Sequence, residues 1–170
     1  MRTHLLIFLF ACCFIGNANA SNEDTSYTLY LVRHAEKQQD GSRDPELTEV
    51  GKIRSERLAS WLQDKGIKDI WSSDYKRTRD TAKPLVSRLG LELVIYDPRA
   101  LADLVVQLQH NQRTALVVGH SNTTPELARL LCDCFIADMD ESEYDRLIVI
   151  SVVGSNTEAT ALQQNHLLQQ

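Results

Sequence analysis

Short apolar runs alternate with longer amphipathic segments along most of the chain. Runs rich in β-branched, aromatic and aliphatic residues predict strands, and apolar positions that recur every three to four residues predict helices. The predicted strands span residues 27–32, 69–71, 91–96, 114–118, 144–153 and 159–162, and the predicted helices span residues 48–65, 77–89, 99–110 and 125–132. This alternation predicts an α/β fold, a three-layer sandwich in which helices cover both faces of a mostly parallel central sheet.

Residue types at the helix ends agree with these boundaries. Gly66 follows the first predicted helix and is a residue that commonly ends helices. Thr123 or Thr124 is expected to cap the last helix, because Pro125 then stands in its first turn, where proline is well tolerated.

Length and charge limit the function classes. The chain has 170 residues, which suits one domain. A hydrophobic content of 43% is typical of a globular protein and argues against disorder. The formal net charge is −5 and no basic cluster is present, so nucleic acid is not expected as a partner.

The first twenty residues resemble a signal peptide rather than part of the fold. A short basic start precedes an apolar stretch at residues 5–16, and small residues up to Ala20 form a cleavage site. The stretch is shorter than the roughly 20 residues of a membrane-spanning helix. An uncleaved anchor and a lipoprotein signal ending at Cys12 are the alternatives. We therefore expect residues 21–170 to form the domain of a secreted or periplasmic protein without a stable membrane anchor.

Only two cysteines lie outside that segment, Cys132 and Cys134, separated by one residue. A disulfide between residues so close in sequence demands unusual geometry, and no further metal ligands stand nearby. We expect two half-buried thiols at a helix end, open to oxidation in an oxidising compartment.

Several charged residues follow the predicted strands directly. In open α/β sheets ligands bind beyond the carboxyl ends of the strands, so residues at these positions should meet at one edge. The set comprises two arginines, two histidines and a carboxylate, namely Arg33, Arg77, His34, His120 and Asp97.

This set of residue types suits phosphoryl transfer. Guanidinium groups bind tetrahedral anions through paired hydrogen bonds and do not lose their charge. A neutral imidazole is a competent nucleophile, a second imidazole can donate a hydrogen bond, and a carboxylic acid can protonate the leaving oxygen. No metal or cofactor is expected. A metal site made of His34, Glu36 and His120 would leave two arginines to repel the cation.

Four motifs resemble those of one family. Residues 33–36, Arg-His-Ala-Glu, resemble the Arg-His-Gly-Glu signature of the histidine phosphatase superfamily, the phosphoglycerate mutase-like proteins. Residues 47–51 are similar to its Leu-Thr-x-x-Gly opening of the first helix, and residues 72–82 to its second-arginine motif. Residues 117–121 resemble the strand that carries its second histidine. The motifs occur in the family's order across about residues 27–153.

The resemblance implies a role for each residue. His34 would become phosphohistidine, Arg33 and Arg77 would bind the phosphate, and His120 would hydrogen-bond it. The family's proton donor usually follows the third strand, where Asp97 stands. Asp103 is an alternative, and some small members have no clear donor. Ala35 replaces the usual glycine, and Glu36 is expected to be a structural partner of the loop or of an arginine.

The resemblance, together with chain length, predicts an exported, metal-independent phosphatase acting on phosphomonoesters. Only 22 residues separate Asp97 from His120, which leaves little room for a lid and favours water over a second substrate as acceptor, so mutase activity is not expected. The substrate would be a phosphorylated small molecule or a phosphoprotein. The alternatives are a phosphohistidine phosphatase, a catalytically idle phosphate-binding module and an exported interaction domain. The sequence predicts no oligomeric state.

Overall fold

The computed structural model describes residues 26–164, so the predicted signal peptide lies outside the described residues. Within them the predicted α/β fold is confirmed: a six-stranded sheet is flanked by helices on both faces. The strands are β1 (Ser26–Arg33), β2 (Asp69–Ser73), β3 (Leu93–Tyr96), β4 (Ala115–Gly119), β5 (Arg146–Val153) and β6 (Asn156–Gln163). The helices are α1 (Glu49–Leu62), α2 (Lys76–Leu89), α3 (Leu101–Asn111) and α4 (Thr123–Cys132).

The sheet is mostly parallel, in the order β3-β2-β4-β1-β5-β6. The first four strands in this order are parallel to their neighbours, because a helix connects each strand to the next along the chain. β5 is antiparallel to β1, and β6 is antiparallel to β5. In the register of β1 and β4, Arg33 lies beside Gly119, so both strands end at the same level.

Alternation along the central strands divides the apolar side chains between two cores. In β1, Leu29 and Leu31 face the core under α3 and α4, whereas Tyr30 and Val32 face the core under α1 and α2. The same alternation holds in β4. Successive side chains of a strand point to opposite faces, so a sheet buried on both sides needs apolar residues at consecutive positions. The two cores hold the carboxyl ends of β1 and β4 in place.

The start of α1 is tied to the segment that follows β1. Thr48 caps α1 by accepting a hydrogen bond from the Gly51 amide at 3.1 Å, and its own amide donates to the Glu36 carbonyl at 2.8 Å. The Arg54 guanidinium donates to the Glu36 carboxylate through Nε at 3.0 Å and through Nη2 at 2.7 Å. Glu36 is thus confirmed as the structural partner of an arginine.

Two expectations about α4 were wrong. Its N-cap is Asn122, without a side-chain hydrogen bond, because the Thr123 hydroxyl accepts from the His120 amide at 3.0 Å instead. At its other end Cys132 and Cys134 form a disulfide rather than two thiols. Asp133 ends the helix in the left-handed conformation (φ 48°), and the two cysteine Cα atoms lie 5.1 Å apart, a distance that disulfides span.

No helix within residues 26–164 is both long enough and apolar enough to cross a membrane.

Candidate active site

His34 and His120 meet at the carboxyl ends of β1 and β4. The His34 amide donates to the Gly119 carbonyl at 2.9 Å, which continues the pairing of the two strands by one residue. The centroids of the two imidazole rings are 5.6 Å apart and the ring planes are inclined at 69°. The parallel register therefore brings together two histidines that are distant in sequence.

The His34 ring is held in one orientation by the backbone. Its Nδ1 lies 2.8 Å from the Ala35 carbonyl oxygen, which can only accept, so the bond assigns the proton to Nδ1 and leaves the lone pair on Nε2. Burial, together with smaller contributions from the positive charges of Arg33 and Arg77, lowers the pKa of His34 to about 3. A neutral ring with a free nitrogen is the nucleophilic form of histidine.

The His120 ring contacts the Ser73 hydroxyl and the Tyr75 ring. Its Nε2 is 2.8 Å from the Ser73 hydroxyl at the end of β2, and the edge of the ring meets Tyr75 with centroids 5.0 Å apart. Burial, followed by the charges of Arg77 and Arg33, lowers the pKa of His120 to about 4. Both histidines are therefore neutral at pH 7.

Arg77 is a largely buried cation with unused hydrogen-bond donors. It stands in the first turn of α2 and packs over the Tyr75 ring, with 4.4 Å between the guanidinium carbon and the ring centroid. Its Nε and Nη1 are buried and make no hydrogen bond, although Nη1 lies 3.6 Å from a carboxylate oxygen of Asp44. Buried donors without partners are rare, so this guanidinium fits an incoming anion.

Arg33 binds the loop that precedes β5 through its guanidinium. Its side chain is 1% exposed, and Nη1 donates to the carbonyls of Asp140 at 3.1 Å, Glu141 at 2.7 Å and Glu143 at 3.0 Å. The guanidinium also packs on the Tyr144 ring at 4.2 Å. Direct phosphate binding by Arg33 stays a prediction, since Nη1 and Nη2 bind the loop, whereas Nε is buried without a hydrogen-bond partner.

A cavity of about 340 Å³ opens where these residues meet, large enough for a phosphate with a small organic group. Its lining carries several cationic or hydrogen-bonding groups and a single carboxylate. The lining residues are His34, Lys37, Tyr75, Arg77, Pro98, Arg99, His120, Ser121, Asn122, Thr123 and Glu141.

Neither carboxylate expected from the sequence lines this cavity. Asp97 follows β3 but accepts from Nε and Nη2 of Arg99 at 2.9 Å and 2.8 Å, and these bonds lower its pKa to about 2. Asp103 is exposed in the first turn of α3. The role of Asp97 as the donor stays a prediction, and Asp103 lies outside the cavity lining.

Sequence reasoning missed Glu141, whose carboxylate lines the cavity. It accepts from Arg33 Nη2 at 2.8 Å and from the Ser121 hydroxyl. Glu141 lies in an irregular acidic segment between α4 and β5, where no periodic pattern or motif marks one carboxylate over its neighbours.

The described part of the chain holds no group of three or more His, Cys, Asp or Glu residues placed to bind a metal ion. The cavity instead contains a cationic guanidinium, which repels a metal and attracts an anion.

Comparisons with known proteins agree with this geometry. Residues 29–101 match the sequence model described as histidine phosphatase superfamily (branch 1). A probable phosphoglycerate mutase GpmB of Yersinia pestis (strain Pestoides F) is 39% identical over 77 residues, which are 42% of this chain and 35% of that protein. The chain thus matches about a third of the length of this curated relative.

Solved structures share the fold at low identity. The protein histidine phosphatase SixA complexed with tungstate aligns with a TM-score of 0.68 and 19% identity, covering 82% of this chain and 99% of that one. The mycobacterial glucosyl-3-phosphoglycerate phosphatase Rv2419c aligns with a TM-score of 0.64 and 17% identity, covering 81% and 99%. The sequence match over residues 29–101 and the shared fold agree with the resemblance to the histidine phosphatase superfamily that the four motifs carry.

Proposed function

We propose that the protein is a phosphatase that hydrolyses phosphomonoesters through a phosphohistidine formed on His34. The observation that carries this proposal is one cavity shared by three groups. The cavity is lined by His34, which is neutral and has Nε2 free, and by Arg77, whose Nε and Nη1 donors have no partner. The imidazole of His120 lines the same cavity.

In the first step Nε2 of His34 forms a bond to phosphorus while the bond from phosphorus to the leaving oxygen breaks. Arg77 binds the phosphoryl oxygens, and His120 donates a hydrogen bond to the charge that develops on them. Water then attacks phosphorus, the bond to His34 breaks, and inorganic phosphate leaves. The cationic guanidinium supplies the charge that a metal ion supplies in many other phosphatases, so the reaction needs no metal.

Hydrolysis is favoured over transfer to a second substrate. The connection between β3 and β4 is nearly filled by α3, so it provides no covering insertion. Water can therefore reach the phosphohistidine. The two solved structures named above are of phosphatases, whereas the curated relative is a probable mutase that matches over only 35% of its length.

A phosphohistidine on a protein is the second candidate substrate. The supporting observation is that almost the whole of the protein histidine phosphatase SixA aligns with this chain. Secretion, or export to the periplasm, is part of the proposal and rests on the expected signal peptide in residues 1–20.

Hydrolysis of p-nitrophenyl phosphate in the presence of EDTA tests the assignment of His34. We expect wild-type protein to release nitrophenol and to carry an acid-labile phosphate, and His34→Asn to do neither. His110→Asn is the matched control, because His110 is exposed on α3 and does not line the cavity. Turnover that survives in His34→Asn would refute the mechanism. Wild-type protein that binds phosphate without forming phosphohistidine would be an idle binding module.

A further inference from the structure

We propose that Glu141 is the proton donor of this reaction, protonating the leaving oxygen and then activating the hydrolytic water. The inference rests on the proposed function. It assigns a catalytic role to a residue outside the four motifs and outside the segment that follows the third strand.

Hydrogen bonds from Arg33 and Ser121 hold Glu141 in position. Arg33 Nη1 donates to the Glu141 carbonyl at 2.7 Å, and Arg33 Nη2 donates to its carboxylate at 2.8 Å. Ser121, next to His120, donates its hydroxyl to the other carboxylate oxygen. These contacts fix the backbone and aim the carboxylate at the cavity that holds His34 and His120.

Exposure of the side chain suits proton transfer. The Glu141 side chain is 77% exposed, so its carboxylate reaches solvent and can exchange protons between turnovers. Glu141 belongs to a loop rather than to a helix or strand, and its carboxylate accepts hydrogen bonds from Arg33 and Ser121. A positioned carboxylate at the wall of the cavity meets the need of general acid catalysis for a group placed near the reacting oxygen.

The other carboxylates near the site are engaged elsewhere. Asp97 is bound through both oxygens by Arg99 and does not line the cavity. Asp44 accepts from the Lys76 amide at 2.8 Å and lies beside Arg77, also outside the lining. Among the described residues that line the cavity, Glu141 alone carries a carboxyl group.

The negative charge of a bound substrate would raise the pKa of Glu141, which is low in the free protein. In the free protein the Ser121 hydrogen bond lowers the pKa of Glu141, and Arg33 and Lys37 lower it further. A phosphate dianion bound at Arg77 adds negative charge to the same cavity, and nearby negative charge favours the protonated carboxyl. Glu141 would thus gain its proton as the substrate binds.

The proton balance closes over one turnover. As His34 Nε2 bonds to phosphorus, the ester bond breaks and the Glu141 proton passes to the departing alcohol oxygen. The carboxylate then takes a proton from water as the water oxygen bonds to phosphorus and the phosphorus–nitrogen bond breaks. One water is consumed, one alcohol and one phosphate are released, and Glu141 ends protonated as it began.

The dependence on the leaving group tests this role in the full chain. A weakly basic leaving group such as p-nitrophenolate needs little protonation, whereas phenolate and alkoxides need much more. In Glu141→Gln we expect the rate at which phenyl and alkyl phosphates phosphorylate His34 in a single turnover to fall about 100-fold or more, as loss of a general acid does, while phosphorylation by p-nitrophenyl phosphate is affected far less. Glu158→Gln, the same change on exposed β6, is the control.

A second measurement distinguishes a catalytic role of Glu141 from a structural role in holding its loop. With p-nitrophenyl phosphate, Glu141→Gln should accumulate phosphohistidine in rapid-quench samples, because the water is no longer deprotonated. An equal loss for all substrates, without accumulation, would overturn the inference and leave Glu141 as an anchor of Arg33. A selective loss in Asp97→Asn instead would assign the donor to Asp97. Absence of phosphohistidine in the wild-type protein would refute the proposed function itself, a result distinct from either of these.

Discussion

The imidazole ring centroids of His34 and His120 lie 5.6 Å apart at the ends of neighbouring parallel strands, and His34 is buried while His120 is partly buried. Two positive rings at this distance, with Arg33 and Arg77 beside them, would repel each other strongly. The folded protein therefore keeps both histidines neutral. This relationship links the chemistry of the site to the stability of the fold.

Stability should fall as the pH drops from about 6.5 toward 3. The folded pKa values of His34 and His120 are about 3 and about 4, whereas an unfolded histidine titrates near 6.5. Between these pH values the unfolded chain binds more protons than the folded protein does. The free energy of unfolding is therefore not reduced by these histidines above pH 6.5, and it decreases as the pH falls below 6.5. Each histidine contributes a slope of up to about 1.4 kcal/mol per pH unit.

Urea unfolding of wild-type protein and of His34→Asn between pH 4 and 7 measures this slope. The variant should show a shallower loss of stability toward acid pH, and the exposed His110→Asn should not differ from wild type. Parallel stability curves for wild type and His34→Asn would contradict the assignment of a neutral buried ring.

Replacement of Arg77 by alanine should weaken anion binding. Hydrogen bonds to charged groups are worth about 1.5–3 kcal/mol, so affinity for inorganic phosphate should fall about 10- to 100-fold by calorimetry. Arg79→Ala is the matched control, because Arg79 lies on the same helix and pairs with Asp74 instead. Equal affinities for the Arg77 and Arg79 variants would mean that the anion binds elsewhere.

Ser73→Ala should lower kcat more than it changes KM. The Ser73 hydroxyl orients the His120 ring through Nε2 at 2.8 Å, and its loss leaves the ring free to rotate. A net hydrogen bond is worth roughly 1 kcal/mol, so a decrease in kcat of about fivefold is expected from steady-state kinetics. The neighbouring Ser72 is equally buried and bonds only the Ser73 carbonyl, so Ser72→Ala should retain kcat. Loss of kcat in both variants would point to general damage to β2.

Gly51→Ala should destabilise the fold. A Cβ at this position would lie 2.3 Å from the Glu36 carbonyl oxygen, and a backbone atom cannot yield as a flexible side chain can. Overpacking of this kind costs about 1–3 kcal/mol in unfolding free energy, measurable by urea denaturation. Ser60→Ala, on the exposed face of the same helix, should stay within about 0.5 kcal/mol of wild type. A stable Gly51→Ala protein would show that α1 can move away from Glu36.

The Leu-Thr-x-x-Gly motif illustrates what could be predicted from sequence and why. Thr48 caps α1 and Gly51 permits its close approach to Glu36, and both requirements are local enough to leave a pattern in the sequence. The predicted strands and helices were found with shifts of a few residues at their ends. The spacing of apolar residues indicates which faces of a helix or strand are buried, and this spacing can be read from residues that are close together in the sequence.

The sequence by itself determined the α/β fold and the meeting of His34, His120 and Arg77, because parallel strands that alternate with helices end at one edge of their sheet. Only the tertiary structure decided the orientation of Arg33 and the place of Glu141. Arg33 reaches carbonyls 107 to 110 residues further along the chain, in an irregular loop without periodicity. Contacts of this range depend on how the whole chain packs, and no local pattern of residues records them.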